Sequence, residues 1–311
     1  MLSILTVTLP IYILIALGYS VVRWGLFPRD GMKTLGLFVV RFALPALLFK
    51  ALSQSPVEDV LNGRFLLAYA LGSLLSFGWG WFSERQHEDS FRAIRGIGLS
   101  VSNTGFVGAP IVLQWLGPSV SVAFALAMIV ENLLILPLTL VLAERNQGAG
   151  ASPSELLGQT LRPLIKNPLI LAIFSGFLCA VFEVDLPAPI TRVVDLLAGA
   201  SGAVALMVIG GTLVGLKTEG MLPDVGKLVA GKLIVHPLCV GLFMFLLMAN
   251  QPILCAAAIA LAAMPMMGIY PIIGQKYRHD GFCAAALLMT TVASFFTLLG
   301  LMSLLKHFVL N

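Results

Sequence analysis

Charge is scarce in this 311-residue chain: 11% of residues are charged against 59% hydrophobic, and mean hydropathy is +0.97. A soluble domain needs more charge to cover its surface, so that shortage excludes one. Cysteine is scarce too. Cys179, Cys239, Cys255 and Cys283 lie in or beside apolar stretches with no CxxC spacing. They read as reduced structural thiols, not as a disulfide frame or a metal site. Only His236, of four histidines, sits well inside an apolar run, which argues against paired-histidine haem ligation. HExxH, GxSxG and a paired-aspartate site are all missing, so nothing points to an intramembrane enzyme or to a cofactor. The net charge of +4 is spread over short loops, a pattern that serves topology and gives no nucleic-acid surface.

What the chain has in abundance is apolar runs near 20 residues, the length that crosses a bilayer as a helix. Ten can be drawn, at 3–22, 34–52, 64–82, 94–115, 119–142, 164–182, 190–216, 225–248, 252–275 and 283–305. They lack period-2 alternation and exceed a barrel strand, so the fold expected is all-α integral membrane. The first run has no basic region or small-residue cleavage site before Arg23 and reads as a span, not a removable signal. With the N-terminus outside, fourteen of the 19 Lys and Arg fall in inward loops. Both termini are then expected outside a bacterial inner membrane.

The most polar interruption, 143–163, reads as a cytoplasmic linker between five-span halves at 1–142 and 164–311. An odd number of spans per half inverts one half relative to the other. Pro10 matches Pro168 at an offset of 158, while Gly105 matches Pro265 and Gly108 matches Gly268 at 160. Ten helices in two inverted five-helix repeats are therefore expected.

Span four holds the strongest local signal, Ser102-Asn103-Thr104-Gly105-Phe106-Val107-Gly108-Ala109-Pro110. Glycine and proline weaken a helix, and in hydrocarbon such a break survives only inside protein or beside a wet cavity. Span nine has a counterpart, Met264-Pro265-Met266-Met267-Gly268-Ile269-Tyr270-Pro271. Two breaks at matching places point to a midplane transport site, with half-helix N-termini aimed at an anion. The plainer reading is a pair of proline kinks with small-residue contacts.

Ionisable groups within spans come next, since burying them is costly. Glu131, followed by Asn132 and Pro137, either carries a proton in a transport cycle or partners a basic group. Arg41 either binds a carboxylate, pairs with Glu131 or snorkels to the inner face. His236 is either a proton relay or a group bonded to a neighbouring carbonyl, the commoner role. Lys232, one turn earlier, is expected to reach the inner interface, and Asp195 the outer one.

With Asn103–Pro110, Phe42-Ala43-Leu44-Pro45-Ala46-Leu47-Leu48-Phe49 and Asn132…Pro137, the whole chain resembles the auxin efflux carrier family. That family includes plant auxin exporters and bacterial permeases associated with malonate or malate. The resemblance implies a scaffold of spans one, two, six and seven, and a mobile domain of spans three to five and eight to ten. It also implies that broken helices four and nine cross near the midplane at the substrate, and by analogy a homodimer. The resemblance carries Asn103, Gly105, Gly108, Pro110, Pro265 and Gly268 over as positions that would bind substrate, and Thr104, in the polar run beside Asn103, is expected to join them. One departure is Arg41, where family members often carry Asn; a cation there favours an anionic substrate. Another is that span nine has no Asn near its break.

The expectation is thus alternating-access transport of a small organic anion, a mono- or dicarboxylate, coupled to protons or sodium or driven by membrane potential. The rival is a receptor or structural membrane subunit that transports nothing. A channel would show a continuous polar face or a filter segment, and neither occurs.

Overall fold

The computed structural model describes residues 2–56, 62–145, 166–215 and 222–310. Most of the expected 143–163 linker lies outside the described residues. Among the described residues all regular structure is helical. The helices are α1 (Leu2–Arg23), α2 (Arg29–Ser53), α3 (Gly63–Phe82), α4 (Asp89–Ser100), α5 (Thr104–Leu116) and α6 (Pro118–Glu144). Then come α7 (Pro168–Val181), α8 (Ala188–Leu213), α9 (Pro223–Met248), α10 (Pro252–Ala262), α11 (Tyr270–Lys276) and α12 (Asp280–Phe308). Seven of these are long and apolar enough to cross a membrane, and α5, α7 and α10 are shorter apolar helices. The chain is a multi-span helical membrane protein.

Four of the helices owe a local widening to proline. In each, a five-residue π-helical turn leads into an α segment whose second residue is proline. The turns are Val39–Ala43 before Pro45, Thr104–Gly108 before Pro110, Glu131–Ile135 before Pro137 and Gly231–Val235 before Pro237. Proline donates no N–H and its ring crowds the carbonyl four residues back. Admitting one more residue into the preceding turn relieves that crowding, and the helix continues with its side chains re-aimed.

The chain divides into two compact units that each draw on both halves of the sequence. One comprises Met1–Gly63, Gly105–Leu126 and Ile165–Gly215, and the other Arg64–Thr104, Ala127–Leu164 and Leu216–Asn311. In the first, α1 packs along α8 and α2 packs against α7 and α8. Gly210 meets the Ile15 carbonyl so closely that a Cβ has no room, the small-residue approach on which apolar helices associate. In the second, α10 packs on α9 and α11 on α12. Its α10 is alanine-rich and wholly buried from Cys255 to Ala262. Large apolar side chains face outward instead, as with Leu246 (68% exposed) and Phe296 (69% exposed), while polar groups gather inside. That inside-out distribution suits hydrocarbon as solvent.

Candidate functional site

Both helices expected to be interrupted are broken, span four at 101–103 just ahead of Gly105, and the two breaks face each other in the second unit. After α4 ends at Ser100 the backbone is extended at Val101 (φ −117°, ψ 132°). Ser102 then forms an isolated antiparallel bridge with Met266, and the Asn103 N–H donates to the Pro265 carbonyl at 2.7 Å. The helical carbonyls freed by the breaks are also met. Ser76 Oγ donates to the Leu99 carbonyl at 3.1 Å and Ser102 Oγ to the Ala262 carbonyl at 3.2 Å. Unwound backbone at membrane depth is tolerable only with such partners.

A buried polar cluster is built around this junction. Glu131 Oε1 accepts from Thr104 Oγ1 at 2.8 Å, Tyr69 Oη at 3.0 Å and the Ser102 N–H at 3.2 Å. Lys232 Nζ lies 2.7 Å from Ser102 Oγ, 2.7 Å from His236 Nδ1 and 3.0 Å from the Ala262 carbonyl oxygen. His236 Nδ1 is itself 3.0 Å from that carbonyl, and Nε2 is 3.3 Å from Ser73 Oγ. Tyr69, Ser73, Lys232 and His236 are fully buried, and Glu131 is 2% exposed. Ser102 therefore joins a carboxylate to an ammonium: its N–H donates to Glu131 while its hydroxyl receives Lys232. Two π turns supply the charged pair, since Glu131 opens one and Lys232 is second in another.

The Asn103 side chain is the exception in this satisfied setting. It is 4% exposed, and among the described residues its amide has no hydrogen-bond partner. A Cβ added to Gly268 would lie 3.9 Å from Asn103 Nδ2, so glycine keeps that amide uncovered on the span-nine side. The Nδ2 donors of that amide, beside unwound backbone, are suited to a carboxylate, which only accepts.

The expected residues distribute unevenly. Asn103, Thr104, Glu131, His236, Pro265 and Gly268 come together in the second unit. Gly105, Gly108 and Pro110 are buried in the first two turns of α5, within the first unit's stretch; Pro110 packs beside Gly202 of α8. Arg41 is exposed on α2 of the first unit. The donors that Glu131 accepts from are instead Tyr69, Thr104 and Ser102. Asn132 bonds back to the Met128 carbonyl at 2.8 Å, within its own helix. Lys232, expected at the interface, is buried and three-coordinate, and Tyr69, Ser73 and Ser102 were not foreseen in the cluster. A signal existed: Tyr69 and Ser73 in span three, and Lys232 and His236 in span eight, are pairs four apart on one helix face. Asp195 pairs with Lys50 at 2.6 Å in the first unit.

Among the described residues, seven long apolar helices, two more interrupted by paired breaks, and an internal cluster of ionisable groups define a polytopic membrane protein with polar groups gathered inside its helices. The chain belongs to the Membrane transport protein family, the auxin efflux carrier family, whose model matches residues 3–302. It is a membrane transporter, not an enzyme. It is 30% identical over 312 aligned positions, 98% of this chain and 97% of the relative, to a protein of Rhizobium meliloti (strain 1021) described as a "Putative malonate transporter". It is 26% identical over 219 positions, 68% of this chain and 69% of the relative, to the "Uncharacterized transporter YfdV" of Escherichia coli (strain K12).

Proposed function

We propose that this transporter is a secondary active carrier of small organic anions, mono- or dicarboxylates such as malonate or malate, working by alternating access. The observation that carries the reading is the buried, unpartnered Asn103 amide at the paired breaks, next to a cluster holding Glu131. The substrate carboxylate binds Asn103, the head of α5 at Thr104 and the unwound backbone around Gly268. Gly105, Gly108 and Pro110 shape the start of α5, and Pro265 shapes the facing break. Glu131 carries the coupling proton, with His236 beside it and Asn132 stiffening the same turn. Arg41, exposed on its own unit, serves as a cation that attracts the anion rather than as a ligand at the break.

The wider architecture belongs to the same proposal. The seven long helices and the three interrupted or short ones are read as ten spans in two inverted repeats, 1–142 and 164–311, joined by 143–163. The units interleave the halves because each repeat lends helices to both, and alternating access is a movement of one unit against the other. Both termini face outward from a bacterial inner membrane, and a homodimer is the expected assembly. The malonate named for the Rhizobium meliloti relative supports the substrate class.

Exchange of labelled malonate in proteoliposomes tests the site. Asn103→Ala should cut exchange about ten- to a hundred-fold, the worth of a hydrogen bond to a charged group. Its thermal unfolding should be unchanged, because the lost amide has no partner in the protein. Exchange at the wild-type rate would remove Asn103 from the site.

A further inference from the structure

The three hydrogen bonds of Lys232 match the capacity of an ammonium group. Lysine has only donors, three when charged, and Nζ meets three acceptors: Ser102 Oγ, His236 Nδ1 and the Ala262 carbonyl oxygen. With Nδ1 accepting, the imidazole proton is assigned to Nε2, facing Ser73 Oγ. The close approach of Nδ1 to the Ala262 oxygen is then two acceptors converging on one cation. Ser102 Oγ–H completes the second lone pair of that carbonyl.

The position of this cation is informative. Ala262 is the last residue of α10, so its carbonyl is at the negative end of a half-helix dipole beside a break. Half-helix C-termini and unwound carbonyls are where transporters of broken-helix design hold a coupling cation. Here the place is taken by a side chain from another helix, α9, fixed by four surrounding elements. Ser102 comes from the span-four break, Ala262 from α10, Ser73 from α3 through His236, and Glu131 from α6 through Ser102. In the state with Glu131 deprotonated, an ammonium on Lys232 balances it, so a metal cation has no charge left to offset there.

We propose that Lys232 is a tethered cation, its ammonium filling the cage at the end of α10 that an alkali ion would otherwise occupy, and that the carrier therefore runs without sodium. This deepens the proposed function by removing sodium from the coupling ions; the cage itself does not depend on the substrate chosen.

Thermal unfolding of the purified full chain in sodium, potassium or choline chloride at equal ionic strength tests it without any substrate. The wild-type Tm should be the same in all three. Lys232→Ser empties the cage and leaves Glu131 unbalanced. Its Tm should fall in choline and rise saturably with sodium by about 5 °C. Lys232→Met fills the cage without a charge and should gain nothing from sodium. Recovery of a serine variant that folds only in sodium is the same result in stronger form. A wild-type Tm raised by sodium, or a serine variant equally unstable in sodium and choline, would overturn the proposal. Malonate exchange is read separately. Its absence from wild type would remove the substrate class and leave the sodium result standing.

Discussion

A carboxylate that takes three donors on a single oxygen, as Glu131 does, is held in place without needing a direct ion pair. Glutamine keeps that acceptor and the same shape, so Glu131→Gln should keep its three donors, but it leaves the buried Lys232 unbalanced and should lower the thermal midpoint as Lys232→Ser does. What it cannot do is release or take a proton. If Glu131 carries the coupling proton, malonate exchange should persist in Glu131→Gln while stimulation of uptake by an inward proton gradient disappears. Uptake measured at equal and unequal pH across the proteoliposome membrane checks this, and gradient-driven uptake at the wild-type level would assign the proton elsewhere. At this scale the sequence was partly legible. Glu131, Asn103 and His236 announce themselves as polar side chains inside apolar runs. Lys232 did not, because a lysine eight residues into span 225–248 has the reach to snorkel. Only the helices around it decide that it turns inward.

The recurring element is the π turn followed by proline. Its physical cause is local, a missing N–H and a crowded carbonyl. Its consequence is to rotate what lies before the proline, and Thr104, Glu131 and Lys232 all stand in such turns. Replacing Pro237 by alanine restores a donor and lets Gly231–Val235 tighten to an α-helix. Pro237→Ala should keep or raise the thermal midpoint, yet lower transport by roughly ten-fold or more through misplacement of Lys232 against His236. Unfolding and exchange measured on the same preparation separate the two effects. The breaks themselves were foreseen from Gly and Pro content. The structure places the span-four gap at 101–103, however, and Gly105 and Gly108 already belong to the resumed helix. Glycine and proline mark where a helix is weak; the partners offered by Pro265 and Glu131 choose where it opens.

Across the whole molecule, the division into units cuts through both sequence halves; span periodicity does not display this, the family resemblance implies a division of that kind, and the stretch 105–126 falls with the first unit instead of with spans three to five. The proposed orientation makes a separate prediction. In a variant whose four native cysteines are replaced by alanine, a cysteine appended at either end should react with a membrane-impermeant maleimide in intact cells. Arg278→Cys, exposed between α11 and α12, should react only after permeabilisation. Reaction of Arg278→Cys in intact cells would invert the topology.

Membrane character, the apolar spans, the two interrupted helices and the family followed from the chain alone. Hydrocarbon demands long apolar runs, and the rare Gly, Pro and polar residues within them stand out against that background. Tertiary structure alone decided which polar residues meet. Tyr69, Ser73, Ser102, Lys232 and His236 are separated by up to 163 residues between bonded partners, and their meeting depends on the packing of α3, α6, α9 and α10 around the breaks. A buried charge can be recognised in a sequence by its cost, but the groups that offset the cost come from other helices, and only the fold brings them within reach.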